Sequence, residues 1–66
     1  MSIRKYTGQT IEMVYQDRGG RLTQRRIRVR AVRADKVYAF DLNKREPRVF
    51  CMERILAIQP VTRHVS

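Results

Sequence analysis

Arg26, Arg28 and Arg30 alternate with Ile27, Val29 and Ala31 in the stretch RRIRVRA. Successive side chains of an extended strand point to opposite faces. The three guanidiniums therefore line one side of a sheet, and the three apolar groups enter a core behind it. Seven arginines and no acid lie between Arg18 and Ala34, so the row has no compensating carboxylate close by in sequence. A guanidinium is a planar fork that grips phosphate through two hydrogen bonds and stacks on bases. The chemistry this pattern suits is recognition of a polyanion, with nucleic acid the foremost class. Glu12, which faces away from Ile11 and Met13, is the acid best placed to pair with the row.

Other site chemistries find little support. The chain has no arrangement of nucleophile and base, no glycine-rich phosphate loop leading into a helix and no carboxylate pair at a recognisable spacing. His64 stands alone in the tail, and a metal centre needs several such ligands. The expectation is a binding module without catalytic residues, metal or cofactor. Cys51 is the single cysteine, so no internal disulfide can form; it reads as a small apolar filler in a protein of the reducing cytoplasm.

Size and charge frame these residues. Sixty-six residues make one small domain that is marginally stable alone, for which association with further copies is a common remedy. The formal net charge is +9, and twelve of the fifteen basic residues are arginine. That bias serves phosphate recognition, and a GC-rich genome would produce it equally. No apolar run reaches the ~20 residues that span a bilayer, and no signal peptide is visible at the start. The basic stretch has period 2, unlike an amphipathic helix lying on a membrane.

The elements that must position the row follow from alternation and turn residues. Residues 1–9 form a polar, basic lead-in with a helical turn stopped near Gly8. Thr10–Gln16 reads as a strand with Ile11, Met13 and Tyr15 on one face, and Asp17-Arg18-Gly19-Gly20 as a turn. A second strand runs from about Arg21 to Arg33. Its apolar phase slips at Val32, which predicts a bulge or sharp bend. After the turn Ala34-Asp35-Lys36, a third strand spans Val37–Leu42 with Tyr38, Phe40 and Leu42 on one face. Arg48–Cys51 is a short fourth strand, Met52–Arg54 a single 3₁₀ turn, and Ile55–Val61 a last strand, apolar on both faces until Pro60 ends its pairing. Residues 62–66 form a frayed tail. Five short strands in sequential hairpins predict one all-β domain over 10–61, a small antiparallel barrel or half-open sheet.

The order of residues resembles the WYL-domain family across Thr10–Val61. The residues that carry the likeness are Ile11, Met13 and Tyr15, then Asp17 and Gly20, Arg26 and Ile27, and Ala39 and Phe40. Arg48, Phe50, Glu53, Arg54 and Ile55 complete it as an Arg-x-Phe-x-x-Glu-Arg-Ile element. Asp35-Lys36-Val37 occupies the place of the eponymous Trp-Tyr-Leu, and Val29 that of the proline usual after the Arg-Ile strand. The resemblance implies an Sm-like, SH3-type five-stranded antiparallel β-barrel that serves as a ligand-sensing part of bacterial transcriptional regulators. It implies nucleic acid or a nucleotide-like anion as partner, with Arg48 and Arg54 as anion contacts. Such modules usually follow a helix-turn-helix domain, for which this chain has no room; a stand-alone module or an excised domain would look like this.

Candidate ligand contacts are thus Arg26, Arg28, Arg30, Arg48, Arg54, Tyr15 and Tyr38, with Phe40 and Phe50 assigned to the core. Arg54 could instead pair with Glu53 or Asp41 as a structural contact. A different function class suits the same pattern: edge strands of a small barrel can pair between copies or with a regulator, giving an interaction or oligomerisation module.

Overall fold

A computed structural model describes residues 3–61 of the protein; the tail 62–66, with His64, lies outside the described residues. A 3₁₀ turn, η1 (Ile3–Tyr6), leads into five strands: β1 (Thr10–Gln16), β2 (Leu22–Arg33), β3 (Lys36–Asp41), β4 (Glu46–Cys51) and β5 (Ile55–Pro60). A second 3₁₀ turn, η2 (Met52–Arg54), joins the last two. All pairings are antiparallel, and the strands lie in the order β4-β3-β2-β1-β5. The sheet coils on itself. The Tyr15 ring of β1 meets the Phe50 ring of β4 edge to face at 5.1 Å, although two strands separate them in the sheet. The result is an all-β, SH3-like or Sm-like small barrel, left open between β4 and β5.

The turns carry residues whose chemistry closes them. Asp17 Oδ1 accepts the backbone N–H groups of Gly19 and Arg21 at 2.9 Å each, while Gly20 takes φ 81°, a region that glycine enters without steric cost. Gly19 needs no such freedom. Ala34, in the two-residue β2–β3 connection, is held at φ 53°. Gly8 ends η1 at φ 84°, and its N–H donates to Val29 O at 2.7 Å.

The core is one cluster. Ile3, Ile11, Met13, Ile27, Val29, Val37, Ala39 and Phe50 are buried, with Tyr15, Val32, Met52, Ile55 and Ile58 packed against them. Register explains the set: Ile11 lies opposite Ile27, Val29 opposite Ala39, and Val37 opposite both Val32 and Phe50. Residues directly opposite one another share a face and pack as a unit. Ile3 of η1 covers one end of this cluster.

Three details differ from the sequence reading. The buried phase of β3 is Val37, Ala39 and Asp41, so Phe40 stands half-buried on the outer face and is not a core residue. The bulge falls between Val29 and Ala31, which leaves Arg30 without an opposite number on β3. The slip sends Ala31 to the outer face opposite Tyr38, and it is Val32 that turns inward against Val37. Lastly, β5 is an edge strand with no buried residue, because strand order gives it a single neighbour.

Candidate nucleic-acid interface

The outer face of the sheet carries the arginine row. Arg26, Arg28 and Arg30 are exposed, with Ile27 and Val29 buried beneath them. The strand repeat sets the stems of alternate residues about 6.6 Å apart. Arg26 is opposite Glu12 in the β1–β2 register, and its Nη2 donates to Glu12 Oε2 at 3.1 Å. Both side chains are half exposed, so the pair is worth at most ~1 kcal/mol and is easily exchanged for a ligand phosphate. Arg28 lies between Thr10 and Phe40, and among the described residues neither Arg28 nor Arg30 has a carboxylate partner. The guanidinium of Arg30 rests 5.7 Å from the centre of the Phe40 ring.

Aromatic groups share this face. Phe40 is directly opposite Arg28, and Tyr38, two residues earlier on β3, is 41% exposed. Guanidiniums interleaved with accessible rings form a surface that can hold phosphates and stack bases together. Phe40 was missed as a surface residue because alternation alone does not say which phase of VYAFDL faces inward.

The inner face ends in a second basic cluster at the mouth of the barrel. Arg25, in the same phase as Ile27, points inward; it is opposite Met13 in the β1–β2 register, and its guanidinium is 5.9 and 5.7 Å from the centres of the Tyr15 and Phe50 rings. Arg48, on β4, holds its guanidinium 5.6 Å from the centre of the same Phe50 ring. The two share one acid. Asp41 Oδ2 is 3.4 Å from Arg25 Nη1 and 4.0 Å from Arg48 Nη1, while its Oδ1 accepts the N–H groups of Asn43 and Lys44. Asp41 is 1% exposed. Its burial is sustained by this pairing, since an unpaired carboxylate there would be strongly disfavoured.

Arg54 donates to the backbone oxygens of Asp17 and Gln16 at 3.1 and 3.5 Å, tying η2 to the end of β1. It pairs with neither Glu53 nor Asp41. Tyr15 keeps its ring against Phe50, and its hydroxyl accepts the Cys51 N–H at 3.0 Å. Beside it, Lys36 Nζ donates to Cys51 Sγ at 3.3 Å, and this bond, with the charges of Cys51 and Asp35, holds the lysine above its ordinary pKa.

The expected contacts thus fall into two groups. Arg26, Arg28, Arg30 and Tyr38 share the outer face; Arg48, Arg54 and Tyr15 gather at the barrel mouth. Arg25 joins the second group and was missed, although its phase with Ile27 and Val29 marks it as inward-pointing. Among the described residues, no helix is long and apolar enough to cross a membrane, and no three metal-ligating side chains cluster. Comparison with family models, curated proteins and solved structures returned no match.

Proposed function

We propose that this protein is a non-enzymatic binding module for single-stranded nucleic acid, held on the outer face of β2 and β3. One observation carries the reading: Arg28 and Arg30, without carboxylate partners among the described residues, flank Phe40 and the exposed Tyr38 on a single face. Cations at the strand repeat meet phosphates, and the two rings offer platforms on which bases stack irrespective of sequence. The surplus of nine positive charges adds long-range attraction. The resemblance to WYL domains points the same way, towards a cytoplasmic role in bacterial transcriptional regulation.

The test is fluorescence anisotropy with labelled single-stranded oligonucleotides across a salt series. Binding should weaken steeply as salt rises, and Arg28→Glu should lower affinity and flatten the slope by about one counterion. An affinity insensitive to this substitution removes the outer face from consideration. A second reading, assembly through strand edges, is favoured by the single-neighbour strands β4 and β5, which expose Val49 and Leu56. Light scattering on a sizing column tests it; a chain that stays monomeric yet binds oligonucleotide argues against assembly.

A further inference from the structure

We infer that the cleft at the barrel mouth is a second anion site, separate from the outer face, for a phosphate monoester of mononucleotide size. The cleft has a volume of about 540 Å³ and is lined by Arg18, Arg25, Arg48, Arg54, Tyr15 and Val49, among others. That volume falls in the range of ~300–1,000 Å³ usual for small-ligand sites.

Charge selects the ligand class. Four guanidiniums meet at the cleft, and the acids among or beneath them are Asp17 and Asp41. Asp17 spends its Oδ1 on the N–H groups of Gly19 and Arg21. Asp41 spends its Oδ1 on the β3–β4 turn and serves both Arg25 and Arg48 through Oδ2 alone. A formal excess of two positive charges remains, which a phosphate monoester, carrying about −1.5 to −2 at neutral pH, balances. An internal phosphodiester carries only one.

Donor geometry agrees. Each guanidinium has five N–H donors, and one oxygen at 3.4 and 4.0 Å leaves most of those on Arg25 and Arg48 uncommitted. Arg25 Nε is buried and has no hydrogen-bond partner among the described residues. Arg25 comes from β2 and Arg48 from β4, with Arg18 on the β1–β2 turn, so donors converge from separate elements. A monoester has three terminal oxygens to receive them. The Tyr15 and Val49 side chains supply apolar wall for the attached organic group.

The monoester could belong to a free mononucleotide or to the phosphorylated end of a strand, and calorimetry separates the two. The titrants are adenosine monophosphate, and two short oligonucleotides identical except for a terminal phosphate, each at low salt. Adenosine monophosphate binding with no gain from the terminal phosphate identifies the free nucleotide as ligand. A gain of about tenfold or more without mononucleotide binding identifies the strand end. Either supports the site, provided that Arg48→Gln lowers the affinity for adenosine monophosphate, or the gain from the terminal phosphate, about tenfold, while Lys5→Gln, exposed on η1 and outside both sites, changes it less than about twofold. Far-UV circular dichroism verifies that each variant folds. If Arg48→Gln does not, Arg18→Gln on the exposed turn takes its place, with a loss of several-fold expected. The inference is overturned if neither phosphate form binds or adds affinity, or if the folded cleft variants bind as the parent does. Loss of plain oligonucleotide binding in Arg28→Glu, with no monoester binding anywhere, sinks the cleft and spares the outer-face reading.

Discussion

Replacing Asp41 by asparagine should destabilise the fold and at the same time strengthen anion binding at the barrel mouth. The carboxylate is 1% exposed, and Arg25, its nearest partner at 3.4 Å, is 17% exposed. Removing one member of a buried pair leaves the other charge uncompensated, at a cost of about 3–5 kcal/mol. The long N–O distance and the residual exposure of Arg25 bring this towards about 2–3 kcal/mol. The amide oxygen can still accept the Asn43 and Lys44 N–H groups, but a neutral acceptor forfeits roughly 1 kcal/mol at each. The total, about 4–5 kcal/mol, compares with a whole-domain stability of roughly 3–10 kcal/mol for 66 residues at ~0.05–0.15 kcal/mol each. The variant should therefore lose about half or more of the domain's stability. Removing one negative charge about 7 Å from a bound monoester that carries about −1.5 to −2, at an effective dielectric of ~40, strengthens binding by about 2 kcal/mol. Urea denaturation followed by circular dichroism, with and without adenosine monophosphate, reads both effects. Ligand at a hundred times its dissociation constant should return about 2.7 kcal/mol of stability. A variant within about 1 kcal/mol of the parent, with unchanged nucleotide affinity, refutes the account of Asp41 as the shared counter-ion of Arg25 and Arg48.

Two further substitutions separate core from surface. Phe50→Ala removes the largest buried side chain and its contacts with Tyr15, Arg25 and Arg48; a loss of about 3–5 kcal/mol is expected from urea melts. A change under about 1 kcal/mol would mean that the barrel does not depend on this ring. Phe40→Ala should leave the fold largely intact, since the ring is only half-buried on the outer face, yet weaken oligonucleotide binding by about 1–3 kcal/mol. Anisotropy that is unchanged for this variant would deny Phe40 a stacking role.

Much of the architecture was legible in the chain because alternation and turn chemistry are local. The bounds of β1 and η2, the bulge in β2, the turn after Gln16 and the Glu12–Arg26 pairing all follow from residues near in sequence or from strand phase. The third strand shows where this kind of reasoning stops. VYAFDL presents two alternating sets, and by size alone the bulkier one, with Phe40, is the better core filler. The smaller set turns inward because Val29, Val32 and Phe50 already occupy the space opposite it. Room inside a five-stranded barrel is limited, and the Tyr15 ring already takes the place beside Phe50.

By itself the sequence determined an all-β chain whose arginine row stands clear of a hydrophobic layer, since side-chain direction along a strand has period 2. Only the tertiary structure decided that Arg25, Arg48 and Asp41, on three different strands, meet around one aromatic ring. That meeting depends on how far the sheet curls, which brings β4 back towards β1. Curvature arises from the bulge and from packing across the whole barrel, so no local pattern of residues encodes it.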